Sequence, residues 1–272
     1  MAYDVTDFRT LMQLEPEGPD VYVGVGPRYP WGRVYGGQVV AQALRAAYET
    51  VQSDFQVHSV HAYFIRGGDA EEPIRYEVDR IRDGRSFLTR RVVARQSMGP
   101  ILNLSASFQV QEDQADVQVC QREEGVPDPE SLSPSDWGAI LQRRMVPLAG
   151  SPARAACWLK VTPPVGEDPV LQACALAYAS DDMPMEAVGL CHPMRPEPTA
   201  DQGSFDRLFV NASLDHSIWF HRPGRSDDWV LHDLRGMGVA GARGLGMGEL
   251  YSRDGTHLAT VAQEVLLREK TR

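Results

Sequence analysis

The segment Leu258–Leu267 reads Leu-Ala-Thr-Val-Ala-Gln-Glu-Val-Leu-Leu. Side chains alternate faces along a strand, so Ala259, Val261, Gln263, Val265 and Leu267 share one face. That face is apolar except for the amide of Gln263. A buried amide without partners is costly, so this one must be hydrogen-bonded. Two roles are open to it: it closes a structural network, or it points at a ligand.

Asp181 is a second side chain out of place. The helix read over Val170–Ser180 ends at Tyr178-Ala-Ser-Asp181. A carboxylate there meets the negative end of the helix dipole, and burial or the adjacent Asp182 raises its pKa further. A carboxyl poised in this way suits a general base; the plainer role is a solvated acid at a frayed helix end. The segment Ser213-Leu-Asp-His-Ser217 carries polar groups on both faces of a strand. Ser213, Asp215, His216 and Ser217 are each open to a catalytic role or to a strand or turn hydrogen bond.

Other chemistries lack their residues. There is no Gly-x-Ser-x-Gly elbow and no Ser-x-x-Lys, and no His-Glu-x-x-His, P-loop or Gly-x-Gly-x-x-Gly. Cys120, Cys157, Cys174 and Cys191 make no Cys-x-x-Cys pair, so free thiols in a reducing cytoplasm are expected and no metal site is. His58 and His61, three apart on a strand, are expected to face opposite ways. Gly244-Leu-Gly-Met-Gly248 reads as a bulge or bend in a strand. Arg80, Arg82, Arg85, Arg90, Arg91 and Arg95 form a basic island that suits either a polyphosphate such as coenzyme A or a solvated strand face.

The elements that must position these groups follow from periodicity. Val39, Val40, Ala43, Leu44, Ala47, Tyr48 and Val51 recur at helical spacing, which predicts a helix over Gly36–Val51 with a small-residue face that a sheet can embrace. Gly36 and Gly37 stand at its start, where free backbone N–H groups gather and a ligand oxygen could approach, or where the chain makes a tight entry. Before it, Asp7–Leu14 reads as a short helix and Asp20–Val25 as a first strand. After it, His58–Arg66, Ile74–Asp83, Ser86–Ser97 and Ile101–Gln111 read as an antiparallel meander whose turns hold Gly67-Gly68, Asp83-Gly84 and Met98-Gly99-Pro100.

Glu112–Ser151, rich in Pro, Asp, Glu and Ser, reads as a linker with one short helix around Trp137–Arg144. The plan then repeats. Ala155–Thr162 is a strand, and Asp168-Pro169 caps a buried helix over Val170–Ser180. A loop containing Pro184, Pro193, Pro196 and Pro198 leads to strands at Leu208–Arg222, Trp229–Gly236, Gly244–Ser252 and Leu258–Arg268. The sequence itself echoes: Trp219-Phe220-His221-Arg222 answers Tyr63-Phe64-Ile65-Arg66, and Gly255 answers Gly99 at the same spacing. Two copies of one helix-plus-meander unit follow, an α+β chain with units at residues 1–112 and 152–272 joined by a linker at 113–151. Face parity pairs Gln263 with Ala106, so the odd amide exists in one copy only. A requirement of the fold would recur in both, which tilts Gln263 towards function.

Length and charge bound the rest. The 272 residues suffice for a sizeable core. A net charge of −10 argues against a general nucleic-acid binder. No apolar run approaches the roughly 20 residues of a membrane helix. The opening Met1–Asp7 has neither a basic nor an apolar leader region, and the final Glu-Lys-Thr-Arg is no peroxisomal address, so a cytoplasmic protein is expected.

Several segments together resemble the acyl-CoA thioesterase II family: Val34-Tyr-Gly-Gly-Gln-Val-Val-Ala-Gln-Ala-Leu44, His58-Ser-Val-His-Ala-Tyr-Phe-Ile-Arg66, Asp83-Gly-Arg-Ser-Phe87, Ser105-Ala-Ser-Phe108, Leu214-Asp-His-Ser-Ile-Trp-Phe-His-Arg222 and Ala262-Gln-Glu264. The resemblance spans nearly the whole chain apart from the linker. It implies a double hot-dog fold, in which each half wraps an antiparallel sheet around one long helix. It also implies hydrolysis of acyl-CoA to fatty acid and coenzyme A, no cofactor, and a homodimer or homotetramer. The family's Asp, Thr or Ser, and Gln, which together hold a water, fall on Asp181, Ser213 and Gln263. Gly36 and Gly37 are then expected beside the reacting carbonyl, and Arg85 and Arg90 against coenzyme A. Two alternatives share much of this pattern: a hot-dog hydratase acting on enoyl-CoA, and a non-catalytic acyl-CoA binder.

Overall fold

The computed structural model describes residues 5–135, 138–148, 153–195 and 207–270. Trp137, Pro196, Pro198, the first four residues and the last two, on which some of these expectations fall, lie outside the described residues. The first half opens with α1 (Phe8–Leu11), whose N-cap Asp7 accepts the N–H of Thr10 at 2.9 Å. It continues through β1 (Glu15–Gly18), β2 (Val21–Gly24), α2 (Gly36–Tyr48), β3 (Phe55–Phe64), β4 (Ile74–Asp83), β5 (Phe87–Gln96) and β6 (Gly99–Val110). The second half holds β7 (Leu141–Met145), β8 (Arg154–Val161), α3 (Pro169–Ser180), α4 (Pro184–Gly189), β9 (Phe209–Ser213), β10 (Asp215–Phe220), β11 (Val230–Ala240), β12 (Arg243–Ser252) and β13 (His257–Glu269).

Among the described residues the strands form one sheet in the order β1-β2-β4-β5-β6-β3-β10-β13-β12-β11-β8-β7, with β9 beside β13. The run β2-β4-β5-β6-β3 recurs in reverse across the seam as β10-β13-β12-β11-β8, so each half contributes a meander around its own helix. The halves join where β3 and β10 pair antiparallel, Ser59 opposite Trp219 and Tyr63 opposite Asp215. Period-two burial decides the faces. On β6, Leu102, Leu104, Ala106 and Phe108 are buried while Asn103 and Ser105 are exposed. On β13, Ala259, Val261, Gln263, Val265 and Leu267 all turn inward. Helices α2 and α3 lie against this face and pack on each other. Val40, Ala43, Leu44 and Ala47 on α2 are fully buried; inserting a larger side chain at Ala43 would overpack the contact by about 1–3 kcal/mol.

Four expectations change. The segment expected to be a linker carries a strand: β7 pairs with β8, Leu141 opposite Val161, so the short helix read around Trp137–Arg144 is not formed where the chain is described. Pairing to an open edge outweighs the helical preference of Leu-Gln-Arg-Arg-Met. The single strand read over Leu208–Arg222 is two. Residues 209–213 pair with the end of β13 and 215–220 with its start, and at the break the N–H of Leu214 donates to Glu264 O at 2.9 Å.

The proline-rich loop after α3 contains α4, and this explains the glycines read as a bulge. A Cβ on Gly246 would lie 2.9 Å from Pro184 O, one on Gly244 2.3 Å from the Val188 side chain, and one on Gly236 2.4 Å from Ala187 O. Those glycines let α4 rest directly on the sheet. Finally, His58 and His61 share the outer face. A register shift between Val57 and Ser59 breaks the alternation, and the two rings reach Ser107 Oγ (2.8 Å) and Ser217 Oγ (3.0 Å).

Candidate active site at the seam of the halves

Asp181 ends α3 as its C-cap residue, with φ −79° and ψ −9°. It is 8% exposed. Its Oδ2 accepts the backbone N–H of Gly37, in the first turn of α2, at 2.8 Å. The N-cap residue of α2 is Tyr35, whose side chain cannot cap its own helix. The Tyr35 hydroxyl donates instead to Tyr178 O near the end of α3, at 2.9 Å. Each helix end thus satisfies the other: a tyrosine serves a late carbonyl of α3, and a carboxylate serves an early N–H of α2.

The break between β9 and β10 brings a hydroxyl to the same place. Ser213 Oγ is 3.5 Å from Asp181 Oδ1, and Gln263 Nε2 donates to that hydroxyl at 2.6 Å. Gln263 Oε1 lies 2.6 Å from His216 Nδ1, and His216 Nε2 lies 2.8 Å from Ser180 Oγ. Gln263 and His216 are wholly buried. Ser213, Gln263 and Asp181 come from β9, β13 and the end of α3, more than thirty residues apart in the chain; the fold places them in one hydrogen-bonded group.

Burial pushes the Asp181 carboxyl up to about 7; the Gly37 N–H and the Gln263 amide pull it down, Asp182 pushes it up, and Ser213 pulls it down. The group is therefore divided between acid and base near neutrality. Burial pushes His216 down to about 4 against the opposing bond to Gln263, so the imidazole is neutral there. Asp182, next in the chain, has a side chain only 7% exposed and forms an ion pair with Arg143 on β7, N to O 3.0 Å. Among the described residues no three His, Cys, Asp or Glu are arranged to hold a metal ion.

The remaining candidates fall elsewhere or change role. Gly37 is expected to touch substrate, but its N–H is committed to Asp181. Gly36 leaves room for the same carboxylate, since a Cβ there would stand 2.7 Å from Asp181 Oδ2 and 3.0 Å from the Phe64 ring. The Gly37 N–H is thus engaged by the acid, and the missing side chain of Gly36 leaves the space the carboxylate occupies. Arg90 is 1% exposed, so it cannot meet coenzyme A. Its guanidinium donates to Thr50 Oγ1 (2.7 Å), Thr50 O (3.0 Å), Arg82 O (3.0 Å), Thr89 O (3.1 Å) and Asp83 Oδ1 (2.6 Å), tying the chain just beyond α2 to the β4–β5 hairpin. Neighbours in the basic island are paired as well: Arg80 with Asp20, Arg91 with Asp79 and Arg95 with Glu77. The acids interleaved with the arginines neutralise them, a pattern that counting basic residues misses. Arg85 is exposed in the β4–β5 turn, outside the Asp181 group.

Asp215 accepts the Glu264 N–H at 2.6 Å and Ser217 faces outward to His61. His216 stands out from its segment only once the strand is placed: it shares the buried face with Ile218. Alternation back from Ile218 was the signal for it in the sequence.

Comparison with known proteins points to one family over nearly the whole chain. A family model described as acyl-CoA thioesterase N-terminal domain matches residues 26–109, and one described as acyl-CoA thioesterase matches 132–266. The chain is 33% identical to acyl-CoA thioesterase 2 of Haemophilus influenzae, over 95% of this chain and 96% of that one. It is also 33% identical to human acyl-coenzyme A thioesterase 8, over 96% and 88%. Among solved structures it is similar to an acyl-CoA thioesterase II, TesB2, from Mycobacterium marinum, with a TM-score of 0.83, 33% identity, and 97% and 99% of the two chains covered. A hot-dog protein from Alicyclobacillus acidocaldarius, 19% identical with a TM-score of 0.79, shares the fold.

Proposed function

The chain belongs to the acyl-CoA thioesterase family and is a thioester hydrolase acting on acyl-CoA, and from that premise we propose that Asp181, Ser213 and Gln263 hold and activate the attacking water. One observation carries the assignment: a buried carboxyl with a pKa of about 7 shares a hydrogen-bonded group with a hydroxyl and an amide, each from a different element.

The chemistry asks for little more. A thiol has a pKa near ~8.5, so a thiolate leaves readily and no covalent nucleophile is required. Ionised Asp181 takes a proton from the water as its oxygen attacks the thioester carbonyl. Ser213 and Gln263 orient that water. The tetrahedral intermediate then expels the thiolate of coenzyme A, and Asp181 can return the proton to it. A positioned general base typically contributes about 10²–10⁴-fold. The Gly37 N–H keeps the base aimed, so oxyanion stabilisation falls to other donors.

Arg85, exposed in its turn, remains the arginine for coenzyme A phosphates. A homo-oligomer fits the exposed Tyr63 and Trp219 on the outer face of the central strands. A cytoplasmic enzyme of fatty-acid metabolism fits four cysteines that are all free. No described helix is long and apolar enough to cross a membrane.

The test is thiol release from a panel of acyl-CoA esters by the wild type and by Asp181→Asn. Release that survives undiminished in the folded variant removes Asp181 from the mechanism. Including crotonyl-CoA, and following its enone absorbance beside free thiol, separates hydrolysis from hydration; binding without either signal would mark a carrier.

A further inference from the structure

We propose that His216 is a positioning residue of the hydrolysis, whose Nδ1–H holds the Gln263 amide in the orientation that turns its NH2 group towards Ser213 and Asp181. This rests on the catalytic assignment above.

An amide side chain has two ends of nearly equal shape and opposite polarity, and its partners decide which way it faces. Gln263 sits between His216 Nδ1 and Ser213 Oγ, both at 2.6 Å. With the proton on Nδ1, the oxygen end must face the ring. The NH2 end then donates to Ser213 Oγ, and the hydroxyl keeps its own hydrogen for Asp181 Oδ1. With the amide reversed, Ser213 would have to donate to Gln263 Oε1, leaving no hydroxyl hydrogen for the carboxylate. The water would then lose two oriented partners.

The ring's tautomer turns on where Ser180 places its hydroxyl hydrogen. Its single hydroxyl hydrogen has two acceptors in reach, His216 Nε2 at 2.8 Å and Ala177 O at 3.0 Å. Given to Nε2, it confines the ring proton to Nδ1, and every donor in the chain Ser180, His216, Gln263, Ser213 then points towards Asp181. The ring has no freedom to leave. It is wholly buried on β10, packed between the end of α3 and β13, and the wholly buried His232 of β11 is close enough to feel its charge. Both imidazoles are neutral, so the effect is one of hydrogen-bond direction rather than charge.

The first half shows that the fold does not need this pair. Val60 lies opposite Ala106 between β3 and β6. Continuing the β10–β13 register by one residue places His216 opposite Gln263 in the matching position. Both pairs are buried, yet one half builds it from two apolar side chains and the other from an imidazole and an amide.

The experiment measures kcat and KM for thiol release with His216→Leu, His216→Asn and His216→Gln, each checked for folding by circular dichroism, in wild-type and Gln263→Ala backgrounds. Leu removes the donor; Asn offers an N–H where Nδ1 stood; Gln reaches towards the Nε2 position. His216→Leu should lower kcat about tenfold to a hundredfold, the scale of a misplaced catalytic group, with little change in KM. His216→Asn should recover most of that loss, while His216→Gln should not. In the Gln263→Ala background His216→Leu should cost nothing further. Wild-type kcat in folded His216→Leu overturns the proposal, as does an equal loss in both backgrounds. If His216→Leu does not fold, equal kcat for the Asn and Gln variants overturns it. Wild-type kcat in Gln263→Ala alone would strike instead at the catalytic assignment.

Discussion

The carboxylate of Asp181 caps the backbone N–H of Gly37 at 2.8 Å, so a side chain of the second half completes a helix of the first. The base is thereby held by the docking of α2 on α3, and its position reports on that docking. The two glycines at the start of α2 make the approach possible. Gly36→Ala puts a methyl group 2.7 Å from Asp181 Oδ2 and 3.0 Å from the Phe64 ring, both ends of side chains that can yield. It should fold and lose about 10²-fold in kcat through a displaced base. Gly37→Ala meets Tyr178 O at 2.3 Å, a backbone atom that cannot yield, and should lose stability as well. Thermal melts beside turnover distinguish the two; a Gly36→Ala enzyme with normal turnover would show that the carboxylate need not sit where it does.

The position of Asp181 also sets the pH dependence. Its folded pKa, about 7, lies above the ordinary 3.8. The ionised form is the base, so kcat/KM should rise with pH through about 7 and level off above it. The same shift acts on stability. The folded state binds the extra proton, so the contribution is fully present below about 4 and is lost as pH rises through 7. Its scale is on the order of 4 kcal/mol. Asp181→Asn should therefore lose at least ~10²-fold in kcat and melt above the wild type at pH 8 but level with it near pH 4. Melting curves at the two pH values check the sign, and a variant less stable at pH 8 contradicts a carboxylate whose burial outweighs its hydrogen bonds.

The elements behind this geometry were largely legible where a single periodicity runs unbroken. β4 spans Ile74–Asp83 as its alternation and turn residues predict, and α3 begins at Pro169 behind its Asp168 cap. The failures occur where partners distant in sequence overrule local pattern. Leu141–Met145 is a strand because β8 has an edge to offer. The row Gly236, Gly244 and Gly246 is flat because α4 lies on it. Arg90 belongs to the end of α2, not to a ligand, because Thr50 and Asp83 come round to meet it. At the site, Gln263 and Asp181 showed as misfits against strand alternation and helix polarity. His216 was one of four polar candidates in its segment, and what separates it from Asp215 and Ser217 is the register that places it opposite Gln263.

Gln263→Ala should slow hydrolysis by at least about tenfold while the protein stays folded. It strips partners from Ser213 and from the buried His216 Nδ1, an expected cost of about 1–3 kcal/mol, small enough for a chain of this size to bear. Kinetics and circular dichroism on one sample test the separation; a loss of activity that tracks loss of ellipticity would make the amide structural.

Ser213 should tolerate threonine and not alanine. Both residues carry a hydroxyl at the same point on the side chain, and the hydroxyl accepts from Gln263 Nε2 while facing Asp181. Ser213→Thr is expected to stay within a few-fold of wild-type kcat and Ser213→Ala to fall about 10²-fold, the lower end of what oriented acid–base groups contribute. Equal activity of the two variants would mean that the water is held without the hydroxyl.

Arg143 offers the strongest test of how the strand β7 bears on the site. Its guanidinium pairs with Asp182 at 3.0 Å, both groups being buried, and Glu186 lies 3.8 Å away. Removing one partner of a buried pair leaves a charge with no compensation and typically costs about 3–5 kcal/mol. Arg143→Met should therefore destabilise the protein strongly, and the double variant Arg143→Met, Asp182→Asn should regain most of that loss. Asp182 also pushes the pKa of Asp181 up, and without Arg143 to offset it that push grows. In folded Arg143→Met the acid limb of the kcat/KM profile should move to higher pH, and in the double variant it should fall below the wild-type position. A limb that stays fixed in both variants would show that the charge on Asp182 does not reach the base, even if the stability changes follow as stated.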